Sequence, residues 1–341
     1  MIDKIINQVA IIGLGRAGRF HLNSLTSMPN SEVVYVVDPY LAEDDAICQD
    51  ATFTLLRDLE EVLNDKTISA VIVATPTQFH FEYVCRALDA GKHVFAEKPL
   101  GKSLQEIKHC FDLAKKKGQL LYLGFQRRYD HNFNVLKSKI ASVGDVRTVK
   151  MSSRDNPKPS LDYLRISGNI FHDMLIHDFD MLIYLFGHKI PESIYAIGYA
   201  YDSDIAAMDD YDTVLVTIKY ADGMVCSIDT SRTAAYGYDQ RIELFAEHGM
   251  LIADNVRNDT VQVHTAQGMS MSPINYSFPQ RYQEAYRVEM EDFVSGITLN
   301  RLVNVSKNEC ILSSMIADAA TLSIKENRAI DFIEYSKKNF N

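Results

Sequence analysis

Val9-Ala10-Ile11-Ile12-Gly13-Leu14-Gly15-Arg16-Ala17-Gly18 is the stretch that decides the fold of this 341-residue chain. Four apolar residues run without interruption into a G-x-G-x-x-G spacing, and a helix-sized segment follows. An apolar run without apolar/polar alternation suits a strand covered on both faces, as in a parallel sheet. Four similar runs follow: 33–37, stopped by Asp38-Pro39; 70–74, stopped by Thr75-Pro76; 93–96; and 120–123. Between them lie amphipathic stretches such as 79–90, where Phe81, Val84, Cys85 and Leu88 are spaced by three and four. Strand–helix alternation of this kind predicts a doubly wound α/β domain.

The texture changes near residue 125. Thr213–Tyr220 and Met224–Asp229 alternate apolar with polar residues around Ala221-Asp222-Gly223, which predicts an antiparallel hairpin with an Asp-Gly turn. Residues 241–246 and 249–252 predict a second hairpin, and 168–187, 281–296 and 306–326 read as helices. The expected organisation is therefore a first domain at 1–124 and a second, α+β domain at 125–341. The second carries an open, mostly antiparallel sheet, and its C-terminal helix is free to pack back on the first. The polar stretch Ser152-Ser153-Arg154-Asp155-Asn156-Pro157 reads as a loop.

Composition narrows the function. Thirty-five Lys+Arg against forty-five Asp+Glu leave a net charge of −10, which argues against a surface for nucleic acid or anionic membrane. At 47% apolar and 23% charged, this is an ordinary globular composition, and the chain is long enough to need no disulfide or metal. Five scattered cysteines with no C-x-x-C pair read as free thiols of a reducing compartment. The first eight residues hold neither a long apolar core nor a small-residue cleavage site, and no apolar window is long enough to span a bilayer. A soluble, cytoplasmic protein without a metal is expected.

The glycine spacing after a strand and before a helix is the arrangement a dinucleotide needs. One glycine makes the tight turn, one lets the pyrophosphate approach the backbone, and one lets helix pack on strand. The helix N-terminus then offers free N–H groups and a positive dipole to the phosphates. Asp38 closes the next strand twenty residues beyond Gly18, where a carboxylate can accept bonds from ribose hydroxyls and repel a 2′-phosphate. A simple Asp-Pro turn is the bland alternative. NAD is expected over NADP, held by Gly13, Gly15, Arg16, Ala17, Gly18 and Asp38. Arg16 keeps a phosphate contact or a solvated position open.

Further along, Thr75-Pro76-Thr77 with His80, then Glu97-Lys98-Pro99, then Gly168-Asn169-Ile170-Phe171-His172-Asp173 running through His177 to Asp180 complete a pattern. Together with Gly13-x-Gly15-Arg16-x-Gly18-x-x-His21, it resembles the glucose-fructose oxidoreductase and inositol dehydrogenase group, Gfo/Idh/MocA. The two-domain layout covers essentially the whole chain. Gly124–Tyr129 and Tyr236–Arg241 are most similar to the inositol 2-dehydrogenase branch. The resemblance implies a Rossmann NAD-binding domain. It adds Thr75, Pro76, His80, Glu97 and Lys98 to the cofactor contacts and makes Lys98 the catalytic lysine, beside a proline that is often cis. It also implies substrate contacts from Arg127, Asp155, Asn156, Asp173, His177 and Tyr236, and pairing of subunits through the open sheet into a dimer or tetramer.

The residues support part of this independently. Lys98 ends an apolar run, and in open α/β sheets the carboxyl ends of strands face the ligand crevice. Asp173 and His177, four apart on a helix, emerge from one face, where burial is costly without pairing. An ordinary structural i,i+4 contact fits them too, and His172, Asp178 and Asp180 compete for the same roles. Arg154 and Arg232 are weaker candidates, and the Tyr282/Tyr286 spacing reads as core packing. The chemistry expected is oxidation of a secondary alcohol of a cyclic polyol or sugar, with myo-inositol 2-dehydrogenase foremost. His177 is read as general base, Asp173 as its orienting carboxylate and Lys98 as the charge beside the alkoxide. Scyllo-inositol or an aldose as substrate, an NAD-dependent glycoside hydrolase, and a non-catalytic NAD-binding regulator are the rivals.

Overall fold

The computed structural model describes residues 6–42, 44–49, 52–299 and 303–339, so Met1–Ile5 of the segment read for a leader lies outside the described residues. The chain divides into two compact units, Met1–Tyr129 with Glu284–Ile311, and Asp130–Gln283 with Leu312–Asn341.

The first unit is built on six parallel strands, β1 (Asn7–Ile12), β2 (Ser31–Val37), β3 (Thr54–Leu56), β4 (Ala70–Val73), β5 (His93–Glu97) and β6 (Leu121–Gly124). Their order is β3-β2-β1-β4-β5-β6. The helices between them include α1 (Arg16–Thr26), α2 (Ala46–Gln49), α3 (Glu60–Asn64), α4 (His80–Asp89) and α5 (Leu104–Lys117). The apolar runs are strands for the expected reason: Val9, Ile11, Ala70, Ile72 and Phe95 are wholly buried between helical layers. Met290, Phe293 and Val294 join that core, which is why a C-terminal segment belongs to this unit. Ser103 caps α5 by accepting from the Glu106 amide at 3.2 Å. Gly118, at φ +68°, ends that helix behind a last turn of three lysines, which suits its negative pole.

The second unit carries α6 (His131–Lys139), β7 (Val146–Arg154), α7 (Leu161–Ser167), α8 (Ile176–Phe186), β8 (Pro191–Tyr199), α9 (Ser203–Ala206), β9 (Thr213–Tyr220), β10 (Val225–Ser231), β11 (Asp239–Ala246) and β12 (Gly249–Ala253). A small hairpin, β13 (Gln262–Thr265) with β14 (Gly268–Met271), precedes α10 (Phe278–Leu299), α11 (Lys307–Glu326), β15 (Ile330–Asp331) and α12 (Phe332–Asn339). The sheet order is β12-β11-β7-β10-β9-β8-β15, antiparallel throughout except for the parallel pair β7/β10. Both expected hairpins are present. The loop expected at 152–157 is not: Ser152–Arg154 is the end of a central strand, and the chain leaves the sheet only at Asp155. Its polar residues belong there because one sheet face is covered by helices and the other is open. Val149 and Met151 of β7 are buried while Lys150 is exposed.

At the edge of that open face, strand alternation gathers Arg154, Asp229, Asp239 and Arg241. Asp239 accepts from Arg241 Nε at 2.7 Å, Asn255 Nδ2 at 2.7 Å and the Tyr236 hydroxyl at 2.6 Å, with Arg154 Nη1 at 3.2 Å. Burial pushes the Asp239 carboxyl up, but these donors outweigh it and hold it down to about 2. Because its folded value is depressed, Asp239 stabilises the native state above the ordinary carboxylate range. That contribution is lost as pH falls through about 2. The shift corresponds to roughly 2 kcal/mol. Asp239→Asn should lower stability by that order at pH 7 and flatten its decline below pH 4, measured by urea unfolding across pH. An unchanged pH profile would contradict the reading.

Candidate active site

Every strand of the first sheet points the same way, so the residues after β1, β2, β4, β5 and β6 meet at one edge. Connections run outward from β1 toward β2 and, in the opposite direction, from β4 toward β5. The β1/β4 gap is thus the switch point where such sheets bind ligands. The three glycines play three different parts there. Gly13 sits at φ +90°, and a Cβ on it would meet Ala74 O at 2.8 Å. A Cβ on Gly18 would lie 2.1 Å from Gly13 O, which no packing adjustment absorbs. A Cβ on Gly15 would meet nothing within 4 Å, so that face of the turn is open. The first turn of α1 has no acidic residue and Gly15 supplies no side-chain cap, leaving its amides to a ligand.

Asp38 lies beside this turn. Its Oδ2 accepts from the Leu14 amide at 2.8 Å, and its Oδ1 from the amides of Tyr40 and Leu41 at 2.9 and 3.1 Å. The carboxylate therefore braces the glycine turn while keeping lone pairs for ribose hydroxyls. Across the switch point, Thr75 Oγ1 is buried without a hydrogen-bond partner. The open Gly15 face, the positive end of α1 and this orphaned hydroxyl fit a dinucleotide. Arg16 is exposed, Ala17 half-buried and Pro76 exposed on the same loops.

Lys98 follows β5 at the same edge, half-buried, and its bond to Pro99 is cis. Two histidines fix its surroundings. His80 places its ring nitrogens 2.7 Å from Pro99 O and 2.7 Å from Thr75 O, tying the loop after β5 to the loop after β4. Burial lowers its pKa against the pull of those carbonyls. His21 Nε2 lies 2.8 Å from Glu97 Oε1. Burial pushes the Glu97 carboxyl up, but His21 and the Lys98 charge outweigh it and hold it below the ordinary range. Gly124 leaves room for that carboxylate, 3.0 Å from where its Cβ would be. Arg127, in the turn after β6, is buried.

In the second unit, the predicted helix 168–187 opens as a wide π turn, Phe171–Leu175, that passes into α8. Asp173 lies in the π turn and His177 in the first turn of α8, both largely buried. Asp173 Oδ2 accepts from Arg232 Nη1 at 2.9 Å, and Oδ1 from the Tyr163 hydroxyl at 2.7 Å. Arg232, wholly buried, also donates from Nη2 to Asp210 Oδ2 at 2.8 Å. Burial works against its charge, but Asp173 and Asp210 outweigh that and raise its pKa. Of the competing residues, His172 is bonded to Asn169 Oδ1 and Asp318 Oδ1, both at 2.9 Å. Asp178 is buried facing β10, where its charge adds to the burial that raises Cys226.

Asp155 joins this region: its amide donates to Ser231 O, one residue before Arg232. The Asn156 side chain donates to Tyr276 O at 2.8 Å. Tyr236 has its hydroxyl held by Arg154 and Asp239 on the open face. Arg232 and Tyr163 are the residues sequence reasoning underrated. Arg232 carried only the signal of an arginine at a strand end, and Tyr163 carried none. Among the described residues no cluster of His, Cys, Asp or Glu could hold a metal ion.

A switch-point glycine turn braced by an acidic residue, with a lysine at the end of β5, defines a dinucleotide-binding oxidoreductase. The chain belongs to the GFO/IDH/MocA oxidoreductase family. Residues 7–125 match its NAD-binding Rossmann domain and residues 136–252 its C-terminal domain. It is 35% identical to myo-inositol 2-dehydrogenase of Thermotoga maritima over 96% of this chain and 99% of that protein. It is 34% identical to inositol 2-dehydrogenase of Rhizobium meliloti, over 94% and 97%. The crystal structure of scyllo-inositol dehydrogenase from Lactobacillus casei, with bound NAD(H) and scyllo-inositol, superposes with a TM-score of 0.88 at 26% identity, over 96% and 99%. This chain is an NAD-dependent oxidoreductase.

Two substitutions separate the glycine roles. Gly18→Ala should disrupt the turn, lowering both thermal stability and NAD affinity. Gly15→Ala should leave stability unchanged while weakening NAD binding at least tenfold by calorimetric titration. Full NAD affinity in Gly15→Ala would remove the open face from the binding site.

Proposed function

We propose that this protein oxidises a secondary alcohol of a cyclic polyol with NAD, and that its substrate is myo-inositol, oxidised at the 2-position to the ketone. The observation that carries the reading is that one chain holds both Lys98 after β5 of the first unit and Asp173 and His177 in the second, and is similar over nearly its full length to inositol 2-dehydrogenases. NAD, when bound, supplies the acceptor for the hydrogen that leaves carbon. The chain does the rest. Glycine-turn amides hold the pyrophosphate, and Asp38 takes the ribose and disfavours a 2′-phosphate. His177 takes the hydroxyl proton; an imidazole, ordinarily titrating near roughly 6.5, suits that exchange. Asp173 orients it, and Lys98 offsets negative charge growing on the substrate oxygen. Arg127, Asp155 and Asn156 match ring hydroxyls, which are expensive to bury unmatched. The Tyr236 hydroxyl, committed to Asp239, is left out of that set.

Scyllo-inositol is the second reading, supported by the bound ligand of the Lactobacillus casei neighbour. NADH formation over a panel of inositols and aldoses, with a chromogenic glycoside in parallel, decides. Myo-inositol should give the highest kcat/KM. Glycoside cleavage without net NADH, or no turnover at all, would replace the proposal by the hydrolase or the regulator. Lys98→Ala and His177→Ala should each lose roughly two to three orders of magnitude in kcat, with NAD affinity kept. Near-normal turnover in either would refute its role.

The open sheet face is proposed to seat a second copy of the chain, giving a cytoplasmic dimer or tetramer. Ile197 and Leu215, cross-strand neighbours, are exposed there, with Phe245, Met250 and Ile252 across the same sheet. No described helix is long and apolar enough to cross a membrane. Light scattering should report an oligomer that Leu215→Glu dissociates; a monomeric native protein would end this proposal.

A further inference from the structure

We propose that Cys85 and Cys110 form a reversible oxidation site, at which a neutral hydroperoxide converts the two thiols into a disulfide that ties α4 to α5. The site belongs to the helical layer of the first unit and does not depend on the proposed substrate.

The placement of the two sulfurs carries the inference. Cys85 lies in the middle of α4 and Cys110 in the middle of α5, and their Sγ atoms are 4.0 Å apart. A disulfide holds its sulfurs at roughly 2.05 Å, so each has to move by about 1 Å, a shift that rotation of a short side chain supplies. The pair is asymmetric. Cys85 is half-buried and open to a reagent from solvent, whereas Cys110 is wholly buried. The bond between them works in the same direction: with Cys110 as donor it holds the Cys85 thiol below the ordinary range, against partial burial. The same bond and burial push the Cys110 thiol up, and Cys310 at the start of α11 adds to that push. Because the thiolate is the nucleophile, Cys85 is the attacking thiol and Cys110 the resolving one.

The carboxylates near Cys85 select the oxidant. Asp89, the last residue of α4, and Glu106, in the first turn of α5, both oppose negative charge at its sulfur. They repel an anionic disulfide such as oxidised glutathione and leave a neutral hydroperoxide unaffected. The Cys85 thiolate attacks the outer peroxide oxygen and the O–O bond breaks. Cys85 is left as the sulfenic acid, and the departing oxygen takes a proton from solvent to become water or an alcohol. The Cys110 sulfur then attacks the Cys85 sulfur. The S–O bond breaks as the S–S bond forms, and the hydroxide leaves with the Cys110 proton as water. Two thiols are oxidised and one hydroperoxide is reduced. A sulfenic acid with no second thiol at this distance goes on to the sulfinic acid, which simple thiols do not reverse, so Cys110 keeps the oxidation reversible.

The test treats the full-length protein with hydrogen peroxide, alkylates the remaining thiols and maps the peptides by mass, comparing wild type with Cys85→Ser and Cys110→Ala. Wild type should yield the Cys85 and Cys110 peptides joined, lighter by the two hydrogens lost, and dithiothreitol should restore both thiols. A 1,3-dione that traps sulfenic acid should label Cys85 in Cys110→Ala and lose that label in wild type, where the second thiol has closed the bond. Cys85→Ser should form no cross-link and leave Cys110 unlabelled. Oxidised glutathione should leave the pair reduced at a concentration where peroxide joins it. If Cys110→Ala does not fold, the wild-type map and Cys85→Ser still decide. Separate Cys85 and Cys110 peptides after peroxide, Cys110 joined to Cys310 instead, or a glutathione adduct on Cys85 as the stable product would each overturn the proposal.

Discussion

The approach of α1 to the end of β1 is the constraint from which the chemistry of the first unit follows. A Cβ on Gly18 would fall 2.1 Å from Gly13 O, so helix and strand end meet backbone to backbone. Because they do, the turn between them is short and its middle glycine faces open space. Asp38 then braces the turn from β2 through the Leu14 amide, and His80 links the loops after β4 and β5. The result is a strand edge held by backbone contacts and a few directed side chains, preorganised before any ligand arrives.

How legible each part was in the sequence follows from where its partners lie. The first unit could be read almost strand by strand, because burial on both faces writes an uninterrupted apolar run and because the glycine spacing is local. The hairpins β9/β10 and β11/β12 were legible for the same reason: their pairing closes over two or a few residues. β7 was not, because it pairs with β10 across some seventy residues and its outward positions, Lys150, Ser152 and Arg154, are polar. A strand with one open face and distant partners looks like a loop when read along the chain.

The candidate site shows the same division more sharply. Glycines 13, 15 and 18, Asp38, Lys98, Asp173 and His177 were visible as motif or spacing. Arg232 was visible only as a residue type, since its ligands Asp173 and Asp210 lie 59 and 22 residues away. Tyr236, singled out by likeness of its surroundings, has its hydroxyl committed on the open face with Asp239, while Asp173 is held on the helix-covered side.

The buried charges of the second unit also have a cost that stability alone does not explain. Desolvating an arginine and two carboxylates is unfavourable, and an apolar cluster of the same volume is often as stable or more so. A neutral Arg–Asp pair would at least cancel its own charge. The second carboxylate comes from the segment that also fixes the start of the π turn. The geometry itself calls for a carboxylate at 210, whose Oδ1 accepts from the Ile170 amide and whose Oδ2 accepts from Arg232. An asparagine has one accepting oxygen, so it would turn its N–H toward one of those two donors and lose that bond. The aspartate is therefore a two-sided brace, tying the buried arginine to the start of the π turn.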